Sequence, residues 1–194
     1  MRVIAGRFKG RRLATPTWIG LRPTSDKLRE TLFNVLATRV VGARVLDLFA
    51  GTGALGLEAL SRGAEHVVFV ERDPRAVALI AENVRRCGAE EACAIIRAAW
   101  SNGLRTLRRR ADVAPFDPFD LVLLDPPYGE SPQSALVGVE QVLAPGGLAV
   151  VEHARRQATP DQSGPLHKHR ELVSGDSALS FYSFDGSSVM NPHR

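Results

Sequence analysis

The chain has 194 residues, a mass of 21.0 kDa and a formal net charge of +4. With 44% apolar and 24% charged residues it follows ordinary globular usage, which excludes global disorder, and its length suits one domain with a sizeable core. The longest stretch free of Asp, Glu, Lys and Arg is residues 141–151, well short of the about 20 apolar residues a transmembrane helix needs, and the two cysteines, Cys87 and Cys93, are too few for a disulfide framework.

Those cysteines read as reduced thiols of a cytoplasmic protein. Charge is unevenly spread: residues 1–29 hold eight basic side chains against the single acid Asp26, whereas the rest holds 17 basic and 20 acidic residues. A near-neutral domain with a basic front end suggests a phosphate-rich partner, the plain alternative being a solvated tail. Charges punctuate the whole segment, which disfavours a secretory signal.

Along the chain, residues 1–20 mix apolar and basic positions and predict short strands or an ordered arm. Thr24, Ser25 and Asp26 offer N-cap oxygens for a helix carrying Leu28, Leu32, Val35 and Leu36, ending at Gly42. Residues 44–49 predict a buried strand, followed by Gly51, Gly53 and Gly56 and a helix over 55–62. A second strand spans 66–70. Asp73-Pro74 opens a helix that Gly88 closes. A third strand at 94–98 precedes a helix or loop bearing Arg105 and Arg108. The fourth strand, 121–124, runs into Asp125-Pro126-Pro127-Tyr128, and a helix over 134–143 leads to a fifth strand at 148–151. Residues 171–173 and 178–184 flank Ser174-Gly175-Asp176-Ser177 and predict a closing hairpin. Alternating strands and helices imply an α/β fold with a mostly parallel sheet.

Gly51-Thr52-Gly53-Ala54-Leu55-Gly56 has the spacing G-x-G-x-x-G between a strand and a helix, with Glu71 twenty residues past Gly51 at the end of the next strand. Glycines admit a ligand close to the backbone, and a carboxylate in that position accepts ribose hydroxyls, so an adenosine-containing ligand is expected. Asp47, just ahead of the loop, would repel a pyrophosphate but attract an ammonium or sulfonium. That tilts the expectation from a nicotinamide dinucleotide to S-adenosylmethionine (SAM), with no metal.

Asp125-Pro126-Pro127-Tyr128 lies where open α/β sheets place ligands. The lone pair of an exocyclic base amine is delocalised into its ring. Two acceptors aimed at its N–H bonds, the Asp125 carboxylate and the Pro126 carbonyl, would localise that pair for in-line attack on a sulfonium methyl. Tyr128 offers a stacking face, and catalysis would rest on orientation and placed dipoles.

Taken together these motifs resemble SAM-dependent amino-methyltransferases, and within them the RsmD-type enzymes that methylate guanine N2 in 16S ribosomal RNA. The resemblance rests on Asp47-Leu48-Phe49-Ala50-Gly51-Thr52-Gly53, Asp125-Pro126-Pro127-Tyr128, Arg2-Val3-Ile4-Ala5-Gly6, Lys9-Gly10-Arg11-Arg12-Leu13, Arg22-Pro23-Thr24, Arg29-Glu30-Thr31-Leu32-Phe33-Asn34 and the run 53–64. It covers most of residues 1–152. It implies a seven-stranded Rossmann-like sheet with a C-terminal antiparallel hairpin, divided into a basic arm (1–22), a methyltransferase domain (23–185) and a frayed tail (186–194). It implies that Asp47, Ala50, Gly51, Gly53, Glu71, Arg72 and Ala99 hold SAM, yielding S-adenosylhomocysteine. It further implies that Asp125, Pro126 and Tyr128 hold guanine, and that Arg2, Arg7, Lys9, Arg11, Arg12, Arg22 and Thr24 meet RNA. The partner would be 16S RNA in an assembling or assembled small subunit, engaged by a cytoplasmic monomer without a membrane.

Two positions depart from the family pattern: Ala98-Ala99-Trp100 stands where an Asp or Asn often contacts adenine, and Thr52 replaces a commoner Ser. The alternatives are an adenine or cytosine amino-methyltransferase on DNA or another RNA, a dehydrogenase, and a non-catalytic RNA binder. His66, His153, His167, His169 and His193 show no metal spacing and read as surface residues; Glu152 reads as structural, and Trp18 as packing the arm.

Overall fold

The computed structural model describes residues 1–18, 25–111, 117–127 and 129–184. Arg22, Thr24 and Tyr128 from the expected site, and the expected tail 186–194, lie outside them. No helix among the described residues is long and apolar enough to cross a membrane.

The described elements are α1 (Asp26–Leu36), β1 (Arg44–Asp47), α2 (Ala54–Ser61), β2 (His66–Glu71), α3 (Pro74–Cys87), β3 (Cys93–Arg97), α4 (Trp100–Ala111), β4 (Phe119–Leu124), α5 (Pro132–Leu136), β5 (Leu143–Ala154), β6 (Gln162–Ser163), β7 (Leu166–Ser174) and β8 (Ser177–Ser183). The sheet has the order β3-β2-β1-β4-β5-β8-β7-β6. β1 to β5 run parallel, and the β7–β8 hairpin joins β5 antiparallel. The strand beyond the expected seven is β6, two residues added to the edge of β7.

Local chemistry explains the element ends. Ser25 caps α1 by accepting from the Leu28 N–H at 3.2 Å. Asp73 caps α3 by accepting from the Arg75 N–H at 2.9 Å, with Pro74 at the first helical position and Gly88 closing in the left-handed region at φ +62°. The expected helix over 134–143 is instead interrupted: α5 stops at Leu136, Gly138 turns the chain at φ +84°, and Val139–Gln141 forms a single 3-10 turn. β5 starts earlier than expected because a bulge absorbs Pro145-Gly146-Gly147, its register jumping from Phe119–Leu143 to Leu121–Leu148.

Side chains alternate across the sheet into two cores. Val45, Phe69, Leu123 and Phe181 pack beneath α1, α2 and α3; Leu46, Val70, Leu124 and Tyr182 pack beneath α4 and α5. Gly56 permits close seating of α2, since a Cβ there would fall 2.3 Å from the Phe69 ring and 2.7 Å from Val67.

The N-terminal segment belongs to the first core. Val3, Phe8 and Leu13 are buried in it. In place of strands, the segment forms a compact loop closed by one antiparallel bridge, Arg2–Arg12. Its anchor is Glu58 in α2, fully buried, whose carboxylate accepts from the Ile4 N–H (2.8 Å), the Ala5 N–H (3.0 Å) and Arg62 Nε (2.7 Å). Ser61 adds a bond from the Phe8 N–H to its Oγ at 2.9 Å. Further along, Asn83 of α3 accepts from the Ala14 N–H at 2.7 Å and donates to the Thr52 carbonyl at 2.9 Å, tying the segment to the glycine turn.

Glu58→Ala strands two backbone amides and a guanidinium, so a stability loss of about 3–5 kcal/mol is expected in urea denaturation. Trypsin should then cut at Arg7, Lys9 and Arg11 before the remainder is digested. A wild-type digestion pattern would show that the anchor is dispensable.

Candidate active site

β1 sits between β2 and β4, the point where strand order reverses, and in such sheets the crevice forms at the carboxyl ends of those strands. A cleft of about 1340 Å³ opens there. Four carboxylates arrive on four strand ends: Asp47 closes β1, Glu71 closes β2, Asp125 follows β4, and Glu152 lies near the end of β5.

After Asp47 the chain turns through Gly51 (φ +53°) and Gly53 (φ +76°), backbone geometry that favours glycine. Two acids hold that turn. Asp47 Oδ2 accepts from the Gly56 N–H at 2.9 Å, and Glu71 Oε2 accepts from the Gly51 N–H at 2.9 Å. The other Glu71 oxygen accepts from the N–H groups of Arg72 (2.7 Å) and Asp73 (2.8 Å), so one carboxylate joins the glycine turn to the β2–α3 turn.

Asp47 is almost wholly inaccessible. Burial, against the help of the Gly56 N–H and reinforced by the negative charges of Asp125 and Glu71, pushes its carboxyl up to about 7. A site that forces a carboxylate to this level is complementary to a cation, and the glycine turn leaves room for backbone approach. The residues present therefore fit a ligand with an ammonium or sulfonium group beside an adenosine.

Of the residues expected to hold the cofactor, Ala50, Gly51, Glu71, Arg72 and Ala99 line the cleft. Asp47 lies beneath its floor. Gly53 shapes the turn as the residue preceding α2. Trp100, which opens α4, also reaches the cleft, its ring 6.1 Å from that of Phe49 and tilted by 40°. Asp125 and Pro126 line the same cleft from the β4 side, with Pro127 exposed beside them.

The arm residues sit elsewhere. Arg2, Arg7, Lys9, Arg11 and Arg12 are exposed, and none lines the cleft. Arg7 and Arg11 stack on Phe8 at 4.5 and 5.3 Å, and Arg11 Nη1 donates to the Arg86 carbonyl at 2.7 Å.

Several readings of single residues change. Glu152 opens onto the cleft. His153 is buried rather than on the surface, with Nε2 2.9 Å from Ser180 Oγ. Trp18 keeps its expected packing role, the guanidinium of Arg75 in α3 lying over its ring at 4.9 Å. The described residues contain no His, Cys, Asp and Glu group able to hold a metal. The sequence reading missed Arg155 and Arg156, which line the cleft just past β5; their only signal was their place after a fifth strand at the carboxyl edge. It also missed Glu58 and Asn83, for which helical periodicity gave no warning.

Comparison with known proteins agrees with this architecture. The family model described as Conserved hypothetical protein 95 matches residues 1–183. Ribosomal RNA small subunit methyltransferase D of Escherichia coli (strain K12) is 36% identical over 185 residues, covering 94% of this chain and 89% of that protein. YlbH of Bacillus subtilis (strain 168) is 36% identical over 185 residues, covering 94% and 98%. Among solved structures, a hypothetical protein of Thermus thermophilus superposes with a TM-score of 0.77 at 32% identity, covering 93% of this chain and 98% of that one. An O-methyltransferase from Bacillus cereus, solved with S-adenosylhomocysteine, shares the fold at a TM-score of 0.65 and 11% identity. The chain therefore belongs to the Conserved hypothetical protein 95 family, the family of the RsmD-type SAM-dependent methyltransferases.

Proposed function

We propose that this protein methylates the exocyclic N2 amine of a guanine in 16S ribosomal RNA. The observation that carries the reading is the meeting, in one cleft, of the acid-held glycine turn with Asp125-Pro126 on the adjacent strand end. The substrate assignment is supported by the identity to the Escherichia coli enzyme along nearly the whole chain. Among the described residues, nothing in the cleft favours the adenine or cytosine alternative.

In this reading Asp47, Ala50, Gly51, Gly53, Glu71, Arg72 and Ala99 hold SAM, whose sulfonium supplies an electrophilic methyl group when bound. Asp47 offers the ammonium end a carboxylate that is costly to ionise alone, and Glu71 offers the ribose hydroxyls its remaining acceptor capacity. Asp125 and the Pro126 carbonyl accept from the two N–H bonds of the guanine amine and draw its lone pair out of the ring. Tyr128, outside the described residues, is assigned the stacking face. The base must leave any helix to reach them. The arm, through Arg2, Arg7, Lys9, Arg11 and Arg12 with Arg22 and Thr24, grips RNA phosphates outside the cleft. The enzyme is taken to be a cytoplasmic monomer acting on the small subunit during or after assembly.

Asp125→Ala is expected to lower kcat by about 10²–10³-fold, by analogy with loss of one transition-state hydrogen-bond partner, with calorimetric SAM affinity retained. Mass mapping of 16S RNA nucleosides should find one N2-methylguanosine missing when the gene is deleted. An unchanged methylation map would overturn the assignment.

Asp47 makes pH a second test. An acid raised by folding from 3.8 to about 7 binds its proton more tightly in the native chain. The stability of the ligand-free protein therefore falls as pH climbs from about 4 to about 7 and levels off above. A bound cation favours the ionised form, so SAM should bind more tightly from pH 5.5 to 7.5, releasing up to about one proton near pH 6. Asp47→Asn should flatten both profiles, and identical profiles in the variant would refute the role.

A further inference from the structure

We propose that Arg155 and Arg156 form a second phosphate-binding site, distinct from the basic arm, that holds the RNA backbone beside the nucleotide whose base enters the cleft; this rests on the RNA-methyltransferase reading above. Both side chains are exposed, both residues line the cleft, and neither takes part in an ion pair among the described residues.

The turn that carries them is held in place. The Arg155 N–H donates to the Asp176 carbonyl at 2.8 Å, which zips the turn to the β7–β8 connection, and the Gln157 N–H closes back on the Ala154 carbonyl at 2.8 Å. Beneath it, His153 Nδ1 lies 3.1 Å from the Ala154 carbonyl, so that nitrogen carries the proton and donates. The other ring nitrogen meets the fully buried Ser180 Oγ at 2.9 Å, which in turn meets Thr159 Oγ1 at 3.0 Å. A buried polar network therefore fixes a turn whose two arginines project to solvent. The arrangement limits the conformational entropy lost on binding.

Electrostatics identify the ligand class. The cleft floor carries Glu71 and Asp125, whose charges attract a cationic ligand but repel phosphate. A polyanion can bring a neutral base to that floor only if its backbone stays at the rim against positive charge. On the β5–β8 rim Arg155 and Arg156 supply it, with the carboxylates of Asp176, Glu130 and Glu152 in the same cleft as opposing charges. Guanidinium groups suit the task because their planar fork matches two phosphate oxygens. An acidic protein surface would satisfy the arginines equally, but it gives no reason for them to share one cleft with Asp125 and Pro126.

The test uses the full-length chain with Arg155→Gln and Arg156→Gln together, and separately Asp176→Asn. Binding of protein-free 16S RNA is measured between 50 and 200 mM salt, alongside methylation of small subunits that lack the modification. The double variant should keep its Tm and SAM affinity and show an RNA KM raised about tenfold, with the loss in KM rather than kcat. Its slope of log affinity against log salt should be shallower by about two. Asp176→Asn should tighten RNA binding. An unchanged KM and salt slope would overturn the inference, as would a defect confined to subunits and absent with protein-free RNA, which would place a protein against these arginines. If the wild type methylates no guanine N2 while the double variant still loses salt-dependent RNA affinity, the catalytic assignment fails and the phosphate site stands.

Discussion

The interaction on which the architecture turns is the bond from the Gly56 N–H to the buried carboxylate of Asp47. It fixes the first turn of α2 above the end of β1, and it is possible only because Gly56 lets the helix approach Phe69 and Val67 without a Cβ. Burial of that carboxylate carries an electrostatic cost, which the Gly56 bond partly offsets. A pKa unit corresponds to about 1.4 kcal/mol, so a carboxyl raised from 3.8 to about 7 represents a few kcal/mol held in the ligand-free fold. A cationic ligand that relieves this strain gains affinity from the protein's own instability, a usual way for binding sites to be built.

Glu71 and Asp125 extend the same logic. Parallel strands deliver their terminal side chains to one edge, so three acids from β1, β2 and the β4 exit gather there without being close in sequence. Glu71 accepts three hydrogen bonds from backbone amides, which makes it a brace for the turn. Negative charge collected at the floor sets a condition on any nucleic acid substrate: bases are admitted and phosphates are kept outside. Basic residues therefore belong at the rim and on the flanks, which is where the arm and the turn after β5 carry them.

The N-terminal segment illustrates how a charge pattern can disguise a structural element. Its arginines leave a solvated tail as the plain alternative to the expected ordered arm, yet Val3, Phe8 and Leu13 are core residues and Glu58 is buried to receive its backbone. The exposed guanidiniums are mounted on this fixed loop, two of them stacked on Phe8. Presenting charge from a rigid surface preserves register on a phosphate backbone in a way that a mobile tail does not.

Features encoded by near neighbours were legible in the chain itself. The glycine turn, the Asp73-Pro74 start and Gly88 stop of α3, the apolar runs of β1 and β4 and the Asp125-Pro126 corner depend on residues within a few positions of one another, and each emerged where spacing placed it. Contacts across long separations were decided only in three dimensions. Glu58 meets Ile4 from 54 positions away, Asn83 joins the arm to the glycine turn, and Arg155 is set by Asp176 on another hairpin. Even the break at Gly138 followed from a turn, at φ +84°, that helical periodicity does not register. Local sequence chose the elements and their chemistry; burial and strand order chose which acids share a floor, which arginines reach the rim, and how far Asp47 is driven from its ordinary ionisation.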